Sequence, residues 1–280
     1  MAGEEKDNWK TLLTLLLAFI LVTMSGTVQG NASTPLDVRM THRGGGGEFE
    51  NELEVEKTIF PLNPYEWEEL ARYIFRYKSR HDGGIWNICG QSLSLQEMKE
   101  AALEYSKEIL IAHHTTFYTI RRGGARHTVK VPYKGVLGTM MSESRLDYCA
   151  IGPNPRKWAK KKGLLPKPPE GQRGTPSYTR EQVLSVLHHP TWRKRLADLG
   201  LGQIVWGRSK KAIYKGDPED LLSLRPGIKK VFEEMADRGQ RKNSRRPWEY
   251  WPGERRHTWY DIRVTRFERA IFSPPLKGWK

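Results

Sequence analysis

Apolar residues recur at helical spacing in four windows of the chain. Trp67, Leu70, Ala71 and Ile74 form one stripe. Asn63 caps it, Pro64 sits in its first turn, Glu66 completes a capping-box pattern, and Gly83-Gly84 ends it. Leu95, Met98, Ala102, Tyr105 and Ile109 make a second stripe behind the Ser94/Glu97 capping box. Thr179 and Gln182 open a third helix that runs through Leu187. Asp217-Pro218 caps a short helix reaching Leu224, and Ile228, Val231, Phe232 and Met235 stripe the next, which Gly239 stops.

Other segments read as strands. "TTFYTI" and "RHTVKVPY" alternate and are joined by "RRGGA" as a hairpin. "QIVWG" and "KAIYKG" suggest a second hairpin, after a short helix from Pro190 to Leu199, and "WYDIRVTRF" suggests a C-terminal strand. In residues 48–57, "EFENELEVEK", Glu recurs at every second position, with Phe49, Leu53 and Val55 on the other face, which gives an acidic strand face or an acidic tail. Residues 151–178 are rich in Pro, Gly and Lys and show no period, so they read as a basic linker. The expected fold is therefore α+β, with subdomains at 48–150 and 179–280, each holding short helices and a β-hairpin.

The N-terminus bears on the compartment. "TLLTLLLAFILV" (residues 11–22) has the length of a signal-peptide core and falls short of a bilayer span. Val28 and Gly30 suit cleavage after residue 30, so 1–30 is expected to be a signal peptide and 31–47 a flexible segment. An uncleaved anchor with membrane association through residues 11–28 is the alternative. Asn31-Ala32-Ser33 is a glycosylation sequon. Cys89 and Cys149 are the only cysteines, which in an exported chain implies one disulfide between them.

Charge then narrows the class of partner. The net charge is +15, and such an excess attracts polyanions. Arg156, Lys157, Lys160, Lys161 and Lys162 in the linker form one group almost free of acids. Arg241, Lys242, Arg245 and Arg246, followed by Trp248, form the other. Trp248 beside arginine suits base stacking, and it equally suits a core ring covered by arginine stems. Residues 220–235, "DLLSLRPGIKKVFEEM", loosely resemble a helix-hairpin-helix, whose turn presents backbone N–H groups to a phosphate. Arg225 interrupts the pattern and Lys229 stands where the second glycine belongs, so an ordinary connection between helices is expected.

Chemistry is harder to find. The histidines at 113, 114, 127, 188 and 189 lack the spacings of a zinc site, and no nucleophile elbow, phosphate-binding loop or dinucleotide fingerprint occurs. The sequence leans towards a non-enzymatic protein without cofactor, metal or catalytic residue. The expected function is binding of a sulfated glycan or acidic protein in the secretory pathway. The alternative is a nucleic-acid-binding protein with an N-terminal hydrophobic anchor.

Overall fold

Among the described residues, side-chain caps at Ser94, Thr179 and Asp217 open three of the helices. In the computed structural model, which describes residues 64–80, 84–166, 176–192, 195–253 and 255–272, the helix α1 covers Pro64–Arg80. Two short paired strands, β1 (Asn87–Ile88) and β2 (Gln91–Ser92), lead into α2 (Leu95–Thr115). At its start the Ser94 side chain accepts from Glu97 N–H, while the Glu97 carboxylate accepts from Ser94 N–H. The strands β3 (Phe117–Arg122) and β4 (Ala125–Lys130) form an antiparallel hairpin turned by Gly123-Gly124, both at positive φ. Then come α3 (Tyr133–Ser144), α4 (Pro153–Lys161) and α5 (Arg180–His188), the last opened by the expected Thr179/Gln182 box. A third antiparallel pair, β5 (Ala197–Leu199) and β6 (Ile204–Trp206), precedes α6 (Pro218–Leu221) and α7 (Leu224–Arg241). A 3₁₀ turn at Pro247–Tyr250 and α8 (Thr258–Phe272) complete the described chain. The fold is α+β, with helices dominant.

Gly47–Lys280 forms one compact unit, and the other, Met1–Gly46, lies outside the described residues. α1 packs on α2, α2 on α7, α7 on β3, and α8 on α3. Buried residues from before and after residues 151–178 belong to a single core, from Leu70, Ile74 and Tyr105 through to Phe232, Val264 and Ile271. Trp86, Tyr105 and Phe232 are among its largest fully buried side chains. Aromatic residues of this size supply much of the apolar burial that holds a fold together.

Three local expectations are corrected. "WYDIRVTRF" is the helix α8 rather than a strand. Its buried residues Tyr260, Val264 and Ile271 recur at helical intervals and close onto α3, and that burial outweighs local strand propensity. Residues 197–199 are a strand rather than the end of a helix, and their partner is Ile204–Trp206. The second expected hairpin is reduced to a Trp206–Tyr214 bridge, with the Ile213 and Tyr214 N–H groups donating to Val205 O and Gly207 N–H donating to Tyr214 O.

The expected linker contains α4, which Pro153 begins and whose Pro155 and Ala159 are buried. Leu165 beyond it is also in the core. Pro226 and Gly227 lie in the first turn of α7, so the helix-hairpin-helix resemblance has no hairpin at that point; the break comes earlier, at Leu222-Ser223. The signal segment, Asn31, the alternating Glu run and residues 167–175 fall outside the described residues.

Candidate functional site

Two glycines on α3 let other elements come unusually close. A Cβ on Gly135 would lie 2.3 Å from the Trp248 ring, and one on Gly138 would lie 2.9 Å from both Cγ1 and the carbonyl oxygen of Val264 on α8. This approach brings two α8 side chains to the C-terminal end of α3. The Tyr260 hydroxyl donates to Glu143 Oε1 at 2.5 Å. The Arg263 guanidinium donates to Ser142 O at 2.8 Å.

The backbone leaving α3 is held in an uncommon conformation. Arg145 and Leu146 follow one another at φ 59° and 62°, a region that costs a residue other than glycine free energy. Three buried side chains hold the segment there. Lys78 Nζ donates to Arg145 O at 3.1 Å, and Tyr105 Oη and Trp86 Nε1 donate to Leu146 O at 2.5 and 3.3 Å. Lys78 is itself buried and sits over the Trp86 ring. The Arg145 guanidinium lies over Phe267.

The chain next reaches Asp147, whose carboxylate organises the disulfide. Cys89 and Cys149 are bonded to each other, 60 residues apart in sequence. The N–H groups of both cysteines donate to Asp147 Oδ1, at 3.0 and 2.9 Å, and Ser177 Oγ donates to Oδ2 at 2.6 Å. With the two sulfurs joined, the cluster Cys89, Asp147 and Cys149 is a brace rather than a set of thiolate metal ligands.

These elements enclose a cavity of about 420 Å³, within the usual range for small-molecule sites. Ser142, Glu143, Ser144 and Arg145 form one wall, with Asn87, Asp147, Arg156, Gln203 and Arg263 around them. Gln203 is also at positive φ, 50°, and its amide donates to the Ala150 and Gly200 carbonyls at 3.3 and 3.1 Å. The tight turn that carries it requires Gly200, where a Cβ would come 2.1 Å from Leu221 O. Ser142 Oγ is buried and completes no hydrogen bond of good geometry, though it lies near enough to favour the Tyr260 phenolate.

Electrostatics single out Glu143. Burial raises its pKa above the ordinary carboxylate value, and the nearby Asp198 charge adds to the rise; the Tyr260 hydrogen bond and Arg263 oppose it. Asp198, on β5, is raised by burial as well. Burial also raises Asp147, against the hydrogen bonds it accepts and the Lys78 charge. Burial drives the Tyr260 phenol upward, and Glu143 reinforces the shift, so Tyr260 remains a proton donor to the carboxyl. The arrangement favours the protonated form of a carboxyl at the edge of a polar cleft relative to an exposed glutamate.

The predicted polyanion residues divide among several settings. Arg156 lines the cavity. Lys157, Lys161 and Lys162 are exposed and Lys160 is half-buried, on or just beyond α4. Arg241 pairs with Asp237 at 2.7 Å, and Arg246 pairs with Asp261 at 3.0 Å. Lys242 lies over the Tyr250 ring, and Arg245 is exposed. Trp248 is only 6% exposed, its indole N–H donates to Asp261 Oδ1, and Arg246 lies over its ring. It is a core residue, so the ring is withdrawn from base stacking.

Sequence reasoning missed Glu143, Tyr260, Asp198 and Gln203. One signal was present: residues 109–142 contain no Asp or Glu, so Glu143 is an isolated acid ending a run of small and apolar residues. Comparison with family models, curated proteins and solved structures finds no match to the chain.

Proposed function

We propose that the cleft cleaves a glycosidic bond, with Glu143 as the general acid. The observation that carries this reading is a part-buried carboxyl that lines a polar cavity and accepts a hydrogen bond from Tyr260, with burial raising its pKa. A carboxylic acid whose pKa is raised by its surroundings is the kind of group that serves as general acid in glycoside cleavage. Its proton passes to the bridging oxygen as the C–O bond breaks. Water adds to the anomeric carbon in place of the leaving sugar. The Glu143 carboxylate takes the surplus proton of that water, which leaves a neutral hydroxyl and restores the acid. Asp198 favours the protonated state of Glu143, and Arg263 and Tyr260 fix its position.

The lining supports a hydroxyl-rich substrate. The side-chain amides of Asn87 and Gln203 line the cavity, where amide groups can meet sugar hydroxyls, and Arg156 adds a cation. Acyl transfer fits less well, because among the described residues no histidine is hydrogen-bonded to a serine hydroxyl that it would activate.

Export is part of the proposal. The disulfide favours an oxidising compartment, and among the described residues no helix is long and apolar enough to cross a membrane. Contact with a polyanionic partner belongs to the same reading through the chain's net charge of +15.

The test is reducing-end release from a panel of neutral and acidic polysaccharides by wild type and Glu143→Gln. General acid catalysis typically contributes about 10²–10⁴-fold, so the variant should lose at least about 100-fold. Cleavage at the wild-type rate by Glu143→Gln would reject the assignment.

A further inference from the structure

The β3–β4 hairpin breaks a local rule. Arg121 and Arg126 are directly opposite one another in its register, and both are exposed. Like charges placed across a strand pair are destabilising, and such a violation on an exposed surface points to a use other than folding. Alternation places Phe117, Thr119 and Arg121 on the same face, with their partners Lys130, Thr128 and Arg126 beside them. Phe117 is 48% exposed, with Lys130 over its ring.

A second basic segment is fastened to this hairpin. Arg121 N–H donates to Asn243 Oδ1 at 2.5 Å, and Asn243 Nδ2 donates back to Arg121 O at 2.9 Å. The Tyr118 hydroxyl donates to Ser244 O at 3.0 Å. These bonds hold residues 243–245 along β3 and bring the Arg245 charge near Tyr118. Neither residues 109–142 nor residues 241–248 contain an acid. Among the described residues, the side chains of Arg121, Arg122, Arg126 and Arg245 make no hydrogen bond or ion pair. β4 leads into the N-terminal end of α3, whereas Glu143 sits near its C-terminal end, about 15 Å along the axis at 1.5 Å per residue.

We infer that this face is a docking surface for an acidic glycan chain, separate from the cleft; as a substrate-anchoring surface, it rests on the glycosidic reading of Glu143. The chemistry runs in order along the strand. Phe117 presents a flat apolar ring, Thr119 and Thr128 present hydroxyl groups, and the arginine pair presents planar forks that match carboxylates. The disulfide argues against a cytosolic nucleic acid as occupant. A bilayer would call for a broader apolar face than one phenylalanine.

The experiment uses full-length, disulfide-bonded protein with three probes: polygalacturonate, neutral dextran and phosphatidylglycerol vesicles. Wild type is expected to bind polygalacturonate, with affinity falling steeply as salt rises, and to ignore dextran. The double variant Arg121→Gln/Arg126→Gln should bind polygalacturonate at least tenfold more weakly and with a shallower salt dependence. Its melting temperature should hold or rise, because a repulsive pair has been removed. The proposal is overturned if wild type fails to bind polygalacturonate, if the double variant binds it unchanged, or if the hairpin arginines govern vesicle binding instead. A Glu143→Gln protein that still cleaves glycan would reject the cleft reading and leave the docking surface standing.

Discussion

The cleft and the β3–β4 hairpin are built in opposite ways. The hairpin is local: two adjacent strands, a two-glycine turn, and charges that face solvent without acid partners. The cleft is assembled from residues far apart in the chain, with Lys78, Asn87, Glu143, Arg156, Gln203 and Arg263 on separate elements or turns. Its uncommon backbone conformations are fixed by buried donors, and its acids sit where burial disfavours their charge. A group whose ionisation is controlled by its surroundings must be enclosed, whereas a surface that captures a polymer by charge must be open. Substitutions in the cleft should therefore alter stability and chemistry together, while those on the hairpin should alter binding alone.

That contrast can be broken most visibly at Trp248. Removing this ring leaves a cavity against Gly135 and takes one hydrogen-bond donor from Asp261, so Trp248→Ala should cost about 3–5 kcal/mol in urea unfolding. A loss of affinity without a loss of stability would return Trp248 to the binding surface. Asp147→Ala leaves the two cysteine N–H groups without their acceptor, and about 3 kcal/mol is expected at pH 7. Asp147→Asn keeps Oδ1 as an acceptor and should cost far less. Gly138→Ala pushes α8 away from α3 and should cost about 1–3 kcal/mol. It should also depress cleavage, since Tyr260 moves with α8.

Glu143→Gln sharpens the comparison in the other direction. Because the folded-state pKa is raised, the acid's contribution to stability is fullest below the unfolded carboxylate pKa and is lost as pH rises through the folded value. The variant should thus gain stability over wild type at neutral pH and lose that advantage in acid, as thermal melts across pH would record. Cleavage by wild type should fall over the same rise in pH. On the hairpin, Arg126→Gln should change unfolding free energy by less than about 0.5 kcal/mol.

How legible each region was in the sequence follows from the same difference. Caps are local, so Ser94/Glu97, Thr179/Gln182 and Asp217-Pro218 announced their helices. The hairpin was visible through its alternation and Gly123-Gly124, and two lone cysteines left one pairing. α3 was invisible, because Gly135 through Ser142 are buried on every side and show no amphipathic period. α8 resembled a strand because its β-prone residues meet α3 only in the folded chain. Glu143 depends on both helices, so its environment could not be read from its neighbours. The basic residues were visible as charge, but the partners of Arg241 and Arg246 were not.

Glycosidic cleavage in the cleft requires a Glu143 carboxyl that holds its proton more tightly than an exposed glutamate does. Titrating the carboxyl carbons of ¹³C-labelled glutamate by NMR, with Glu143→Gln to assign the missing resonance, measures this directly. The midpoint for Glu143 should lie above the ordinary glutamate value and above those of the exposed glutamates in the same spectrum. A midpoint at or below theirs would contradict the proposed acid, whatever polymer the protein meets.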